Sequence, residues 1–165
     1  MKTIKIPYYK ETIDIHVAEE NLAAVITAKM HEFKADKGEA ELVEEALANP
    51  IGSKKLSELA VGKNKIVIVT SDHTRAVPSK LTLPILLKEI RKGNPDADIT
   101  ILIATGLHRP TTEEEQRNMF GDAIVDNEKI VANNAFDPEQ FEKVCDLPSG
   151  AEFFCNKIAV NCDPL

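Results

Sequence analysis

The chain has 165 residues, 43% of them hydrophobic, and a formal net charge of −7 at pH 7. These values are typical of a globular protein with a core of its own and exclude a disordered chain, while the acidic balance argues against nucleic-acid binding. No apolar run approaches the roughly 20 residues that cross a bilayer, and residues 1–5 lack a secretory apolar core, so we expect a soluble, cytoplasmic protein.

The first part of the chain predicts a β-hairpin and then a helix. Residues 3–17 alternate apolar and polar side chains, as strands do. Residues 39–48 place aliphatic side chains at helical spacing between glutamates, and Asn49-Pro50 ends that stretch. Residues 20–35 follow neither period, so the sequence assigns them no state.

The middle of the chain predicts a βαβ unit. A continuous aliphatic run at 66–69 and a second aliphatic run, Ile99 with residues 101–103, flank an apolar helical stretch, and the crossover makes the two strands parallel. A proline inside a helix removes a hydrogen bond. Because Pro84 lies in this stretch, the sequence predicts Thr82 as the N-cap and a helix that begins near Leu83.

The last third of the chain predicts a helix, a third strand and one further element. Thr112 and Glu115 form a T-x-x-E capping box that opens a helix, and Gly121 marks its end. Residues 129–132 are predicted as the third strand. Residues 153–160 have apolar side chains on both parities, so they are either another strand or a helix start.

Together these elements predict an α/β fold, a Rossmann-like and mainly parallel sheet with flanking helices and an N-terminal β-hairpin, in which residues 1–165 are a single domain or a fragment. Ligand crevices of open parallel sheets form at the carboxyl ends of strands. Residues 71–75 and 105–109 occupy two such ends. They lie within residues 63–110, which carry eight basic and four acidic residues, a net charge of +4. This distribution favours a small anionic ligand, unless most of these lysines are ordinary solvated surface.

Three side chains in these two loops could carry chemistry. The planar fork of Arg75 can hold a carboxylate or phosphate by two hydrogen bonds. Asp72 could orient Arg75 or a neighbouring imidazole, or the two residues could form a plain loop ion pair. The imidazole of His108 suits proton transfer or metal ligation, although a loop histidine is more often a surface residue.

Two further residues are candidates for anion contacts. Thr74 could donate its hydroxyl to an anion or simply form a turn. Arg109 is a second anion binder, or it pairs with the acidic residues 113–115. Those carboxylates occupy the first turn of a helix and repel an anion, so a bound anion belongs on the Arg75 side. No closely spaced histidine or cysteine set predicts a metal ligand, and no glycine-rich nucleotide loop is present.

The same loops resemble the nickel-dependent lactate racemase family, whose enzymes use a nickel-pincer nucleotide. Residues 71–75 with Pro78-Ser79, and residues 105–111, match the two N-terminal motifs of that family. Residues 147–152, followed by Asn156-Lys157, resemble a third segment. The similarity runs along nearly all 165 residues.

The resemblance implies a role for each loop residue. His108 would be one of two catalytic histidines and would take the hydroxyl proton of a 2-hydroxy acid while hydride passes to the cofactor. Arg75 would hold the substrate carboxylate, and Asp72 would support the site by orienting His108. Thr74 and Arg109 would contact the cofactor. Return of hydride to either face of the keto acid would then racemise the carbon.

The resemblance also implies that the chain is incomplete. Members of this family are much longer, and the second histidine, the cofactor-bearing lysine and the nickel-ligating histidine would all follow Leu165. The chain is therefore expected to be an N-terminal fragment or domain that is inactive alone and has the missing C-terminal part as its partner. The competing hypotheses are a non-catalytic anion- or nucleotide-binding domain, in which Asp72 and Arg75 are a structural pair, and a cofactor-biosynthesis or nucleotide-carrier protein.

Overall fold

The computed structural model describes residues 1–164 of the chain, and the side chain of His31 lies outside the description. The chain divides into two compact units, Met1–Asp36 and Lys37–Leu165. Within the described residues, no helix is both long enough and apolar enough to cross a membrane.

The first unit contains the predicted β-hairpin. β1 (Lys2–Tyr8) and β2 (Glu11–Val17) pair in antiparallel fashion, with Ile4 opposite Ile15. The two-residue turn that joins the strands includes Tyr9 at a φ of 54°. A positive φ is what tight hairpin turns require, because their twist then matches that of the strands. The predicted hairpin is confirmed.

The segment without a predicted state, residues 20–35, contains only short turns. One 3₁₀ turn spans Glu19–Asn21 and another spans Lys29–Glu32. The amides of Leu22 and Phe33, which follow the two turns, donate to the carbonyls of Glu19 and Met30, each at 3.2 Å. Turns of this length impose no period on the side chains, which is why neither helical nor strand spacing is visible there.

The second unit is built around a three-stranded parallel sheet. Its elements in chain order are α1 (Glu39–Ala48), α2 (Leu56–Ala60), β3 (Lys65–Ser71), α3 (Ser79–Gly93), β4 (Asp98–Ala104), α4 (Glu113–Phe120), α5 (Asp122–Asn127), β5 (Lys129–Ala132), β6 (Phe141–Asp146), β7 (Glu152–Asn156) and α6 (Lys157–Val160). The sheet has the order β3-β4-β5, and both pairings are parallel. The predicted βαβ unit, the third strand and the α/β fold class are confirmed.

The core of this unit lies between one face of the sheet and the helices that cover it. Ile101 and Ile103 of β4 are fully buried. Leu83 and Leu87 of α3 pack against this face at helical spacing, together with Phe120 of α4. Full burial of an aliphatic side chain stabilises the fold by about 1.5–3 kcal/mol. The packing therefore fixes the strand ends from which the two loops begin.

The predicted start of α3 is wrong. The helix begins at Ser79 instead of Leu83, and Thr82 lies in its first turn, where its amide donates to the Pro78 carbonyl at 3.0 Å. Pro84 is therefore inside the helix and leaves the carbonyl four residues before it without an amide partner. Because Pro84 is exposed, water can satisfy that carbonyl. The buried leucines on the opposite side compensate for the lost bond.

The helix α4 begins and ends where the sequence predicts. The Thr112 hydroxyl accepts from the Glu115 amide at 3.3 Å, and the Glu115 carboxylate accepts from the Thr112 amide at 2.9 Å. Gly121 follows the last helical residue with a φ of 85°, a conformation that side-chain-bearing residues rarely adopt. The capping box and the helix end are confirmed.

The other face of the parallel sheet is partly covered by the last part of the chain. Here β6 and β7 form an antiparallel hairpin, and α6 contacts both β3 and β7. Residues 153–160, predicted as a strand or a helix start, contain both, since β7 ends at Asn156 and α6 begins at Lys157. The Asp163 carboxylate accepts from the amide of Lys65 at 3.0 Å, so the described chain ends beside the start of β3.

Candidate active site

The two predicted loops meet at the carboxyl edge of the parallel sheet. The last residues of β3 and β4, Ser71 and Ala104, are partners in the parallel register. The side chains of Asp72 and His108 come together just beyond this pair, with Oδ2 of Asp72 2.5 Å from Nδ1 of His108. Of the two partners that the sequence allowed for Asp72, the structure has the imidazole and not Arg75.

Asp72 is buried and its carboxylate has several hydrogen-bond donors. Only 2% of the residue is exposed, and Oδ1 accepts from the Thr74 amide at 3.1 Å and from the Thr74 hydroxyl at 2.6 Å. These bonds form an Asx turn that closes the loop after β3. The Thr74 hydroxyl, together with His108, lowers the pKa of Asp72 to about 2, although burial alone would raise it. Asp72 is therefore ionised at neutral pH.

His108 is held at one ring nitrogen only. Gly106, at a φ of 57°, allows a tight turn after β4, and the His108 amide donates to the Thr105 carbonyl at 3.0 Å. The imidazole is half exposed, and its Nε2 makes no hydrogen bond to any described residue. An ionised carboxylate can only accept, so Nδ1 carries the hydrogen and Nε2 of the neutral ring has a free lone pair. This is the arrangement of a general base.

The loop of His108 is connected to the neighbouring strand and to the third segment of the family resemblance. The buried Thr105 donates its hydroxyl to the carbonyl of Asn133, just after β5, at 2.7 Å. The side-chain amide of Asn156 donates to Oδ1 of Asn133 at 2.9 Å. Sequence reasoning gave Thr105 and Asn133 no role, since nothing in their local pattern reveals a bond between distant parts of the chain.

Arg75 is an exposed arginine with a free guanidinium. Its amide donates to the Asp72 carbonyl at 3.2 Å, which keeps the residue in the same turn. Within residues 1–164, its side chain makes no hydrogen bond and no ion pair. The alternative of a plain Asp72–Arg75 ion pair is therefore not what the structure contains. A cation is available at the sheet edge for an anionic ligand.

Arg109, in contrast, is paired with Glu115. Two parallel hydrogen bonds of 2.8 and 2.6 Å join the guanidinium to the carboxylate. Hydrogen bonds from Arg109, and then from the Thr112 amide, lower the pKa of Glu115 to about 2, and the same pair raises the pKa of Arg109. The sequence allowed Arg109 to bind an anion or to pair with the acidic residues after it, and the structure has the pair.

A second histidine, His73, lies near the site and faces Glu115, the residue that also pairs with Arg109. Nε2 of His73 is 3.5 Å from Oε1 of Glu115, and its Nδ1 is buried with no hydrogen-bond partner among the described residues. The T-x-x-E pattern identified Glu115 as a cap, and the sequence left open whether Arg109 pairs with residues 113–115. Nothing in the sequence predicted that Glu115 also contacts His73.

The described residues contain no cluster of three or more histidine, cysteine, aspartate or glutamate side chains that could hold a metal ion. The basic residues of 63–110 are also not gathered at the loops. Lys65 begins β3 at the opposite edge of the sheet, and Arg91, near the end of α3, pairs with Glu128 at 2.8 Å. The site thus offers a base and one free guanidinium, a donor set for a small organic anion.

Comparison with known proteins identifies the family. Residues 8–165 match the profile described as lactate racemase N-terminal domain. The whole chain is 46% identical to a lactate racemase of Thermoanaerobacterium thermosaccharolyticum and 47% identical to one of Lactiplantibacillus plantarum, and in each case it spans 39% of the relative's length.

Solved structures agree with this match. The lactate racemase apoprotein of Thermoanaerobacterium thermosaccharolyticum superimposes with a TM-score of 0.88 at 45% identity, over 98% of this chain and 37% of that one. A Thermotoga maritima protein superimposes with a TM-score of 0.53 at 26% identity, over 72% of this chain and 27% of that one. The profile match covers nearly the full length. The chain belongs to the lactate racemase N-terminal domain family.

Proposed function

We propose that residues 1–165 are the N-terminal part of a longer cytoplasmic isomerase that racemises a small 2-hydroxy acid such as lactate. The observation that carries this proposal is the pair formed by His108 and Asp72. The buried, ionised carboxylate holds the imidazole by Nδ1 and leaves Nε2 open at the sheet edge. The relatives are named lactate racemases, and the chain spans 39% of their length, which supports the same reaction in a longer protein.

In this proposal His108 moves the proton of the substrate hydroxyl. Nε2 accepts the proton as the carbon–hydrogen bond of the substrate breaks, and it returns the proton when the hydroxyl forms again. The negative charge of Asp72 stabilises the imidazolium that exists between these two events. Asp72 is thus a positioning residue that acts through His108.

Arg75 binds the substrate carboxylate. Its guanidinium has no other partner among the described residues, and it can donate two parallel hydrogen bonds to a carboxylate. Arg75 and His108 follow adjacent strands at the same sheet edge. A 2-hydroxy acid has its carboxylate and hydroxyl on neighbouring carbons, so one substrate can reach both side chains.

The nickel-pincer nucleotide that the family resemblance implies would supply the acceptor for the substrate hydride. The donors of this chain fit the nucleotide part better than the metal, because the described residues offer no cluster of metal ligands. We assign Thr74 and Arg109 to the nucleotide, with Thr74 as an acceptor because its hydroxyl already donates to Asp72. Three N–H groups of Arg109 are used by Glu115 and Pro110, which leaves two of its five for a phosphate. The nickel ligands would then belong to the part of the protein after residue 165.

The chain alone is proposed to be inactive. Racemisation needs a proton-transfer group for each of the two substrate orientations, and His108 supplies one. His73 cannot be the other while its Nε2 faces Glu115 and its Nδ1 is buried. The second group therefore comes from the missing C-terminal part, which is the partner of this chain.

A hybrid protein tests the proposal. Residues 1–165 are joined to the part of the Thermoanaerobacterium thermosaccharolyticum racemase that follows the matched region, and conversion of L-lactate to D-lactate is measured with the racemase cofactor. We expect turnover by the hybrid and none by the 165-residue chain. Turnover by the chain alone would contradict the proposal that these 165 residues carry only half of the active site. A hybrid that folds and binds cofactor without turnover would contradict the proposed racemase function and favour a non-catalytic anion-binding domain.

A further inference from the structure

An apolar groove lies on the sheet face opposite α3 and α4, at the same edge as the candidate active site. It has a volume of about 340 Å³. We call it the aromatic groove and define it by Val69, Leu102, Phe141, Phe153, Phe154 and Cys155. The first two residues are partners in β3 and β4, and the others belong to the β6–β7 hairpin.

The exposure of this groove is unusual for a parallel sheet. Such sheets are normally covered on both faces. Here α3 and α4 cover one face. On the groove face Val69, within β3, is 59% exposed, and Phe153 and Phe154 are 44% and 50% exposed. A cluster of exposed aliphatic and aromatic side chains marks a surface that another part of a protein covers.

The groove also adjoins the loop that contains His108. Gly106 lines one end of it, two residues before His108 in the sequence. Whatever occupies the groove is therefore placed beside the proposed base. This is the side from which a proton-transfer group for the second substrate orientation can arrive.

The contacts of Asp163 indicate what covers the aromatic groove. Asp163 is bound to the backbone of Lys65 by its carboxylate at 3.0 Å and by its amide at 2.8 Å, and α6 just before it already lies on the groove face. Val69 is four residues further along β3, roughly 13 Å away at the rise of a strand. A segment of only a few residues spans that distance. The relatives continue well beyond this point, since the match covers 39% of their length.

We infer that the aromatic groove is the docking site of an amphipathic segment that follows residue 165 in the longer protein and that lays its apolar side chains on Val69 and the two exposed phenylalanines. This inference rests on the proposed function. It gives the missing part a defined surface on this chain. Docking of that segment completes the second face of the sheet and brings the missing half of the site to His108.

One cysteine of the hairpin provides a direct test in the hybrid protein. Cys155 lines the groove, whereas Cys145 is the register partner of Phe153 and therefore lies too close to the covered patch to serve as a reference. Alkylation of Cys155 by iodoacetamide is followed by mass spectrometry of its peptide, and the urea-unfolded hybrid gives the rate of the unprotected thiol. We expect Cys155 to react about tenfold or more slowly in the folded hybrid than in the unfolded one, because reaction requires local opening of the docked segment.

Variants link this protection to the groove. Val69→Lys should raise the Cys155 rate about tenfold by preventing docking. Val61→Lys is the matched control, since Val61 is 62% exposed and lies outside the groove, and it should leave the rate unchanged. Should Val69→Lys fail to fold, Phe154→Ser repeats the test with Phe136→Ser, at a residue 72% exposed, as its control.

Three results would overturn the inference. They are equal labelling rates of Cys155 in the folded and the unfolded hybrid, protection that survives both groove variants, and protection that disappears on dilution, which would identify a second copy as the occupant. Racemase activity is measured on the same samples. An active hybrid with unprotected Cys155 contradicts only the docking, and an inactive hybrid whose protection is lost in Val69→Lys contradicts only the proposed function.

Discussion

The loops after β3 and β4 each contain an arginine, and the two arginines differ in their partners. Arg75, in the first loop, has a free guanidinium among the described residues. Arg109, in the second loop, is held by two hydrogen bonds to Glu115. Net charge alone would make both loops equally attractive to an anion. The local pairing leaves only the first loop with an arginine that has no partner among the described residues.

The difference follows from what each nearby carboxylate already binds. Asp72 is three residues before Arg75, but its oxygens are used by Thr74 and His108, so it does not neutralise the arginine. Glu115 has an oxygen available for Arg109 besides its capping bond. We therefore propose that the first loop binds the substrate carboxylate and that the second loop transfers the proton. Five predictions test this division in the hybrid protein or in the chain itself.

The largest effect is expected in the second loop at His108. His108→Ala should lower kcat about a thousandfold, as expected for loss of a general base, and should change KM little. Leu107→Ala is the control, because this neighbour is 78% exposed and has no assigned role. Initial rates of lactate racemisation measure both. A His108→Ala hybrid with near-normal kcat would remove proton transfer from the second loop.

The next effect is expected at Asp72. Asp72→Asn should lower kcat about a hundredfold with little change in KM, because the neutral side chain no longer holds the charged form of His108. A loss in kcat without a matching change in KM is expected of a residue that acts through the base and not on the substrate. Asp96→Asn, an exposed residue before β4, is the control. Equal kcat values for Asp72→Asn and Asp96→Asn would mean that Asp72 supports only the fold.

The two arginines are compared directly by truncation. Arg75→Ala should raise KM for lactate by about ten- to a hundredfold, the size expected for loss of charged hydrogen bonds to a carboxylate. Arg109→Ala should change KM by less than about threefold, because its charge is already neutralised. Steady-state kinetics distinguish the two. Equal effects on KM would contradict the proposal that Arg75, and not Arg109, binds the substrate carboxylate.

The pH dependence of the free energy of unfolding should differ between the chain with Asp72 and the variant Asp72→Asn. Asp72 titrates near pH 3.8 when unfolded and near pH 2 when folded. Between these values the unfolded chain binds more protons, so the free energy of unfolding falls as the pH falls, by about 2 kcal/mol for this group. Urea unfolding of the chain should show that the difference from Asp72→Asn shrinks from pH 4 to pH 2. A constant difference would contradict the lowered pKa.

The smallest effect is expected when Arg109 is released. Glu115→Gln removes the charge that neutralises it, so inhibition of the hybrid by sulfate should strengthen about threefold. Glu114→Gln removes a carboxylate from the same turn that has no hydrogen bond among the described residues, and it serves as the control. Equal changes in the two variants would show that only the total charge matters.

Much of this division could be predicted from the sequence. The continuous aliphatic runs of β3 and β4 place the two loops at one sheet edge, and the T-x-x-E pattern gives the start of α4. The pairing of Asp72 with an imidazole was one of two alternatives, and the structure has it. The catalytic and binding roles of Asp72, Arg75 and His108 depend on the family resemblance and stay predictions.

Other features could not be read from local patterns. The helix α3 begins earlier than Pro84 suggests, because burial of its leucines compensates for one missing hydrogen bond. Strand β6 has no clean alternation and is defined by its pairing with β7. The Arg109–Glu115 pair was left open because its geometry depends on how the loop enters α4. Each of these depends on contacts between separate elements.

The Asx turn at Asp72 suggests how members of this family could lose catalysis during evolution. One oxygen of Asp72 shapes the loop through Thr74, and the other holds His108. An asparagine keeps an oxygen for the turn but carries no charge for the imidazole. In the proposed mechanism, a single inherited change at this codon would therefore leave a folded descendant that still binds the anion at Arg75 and turns it over about a hundredfold more slowly.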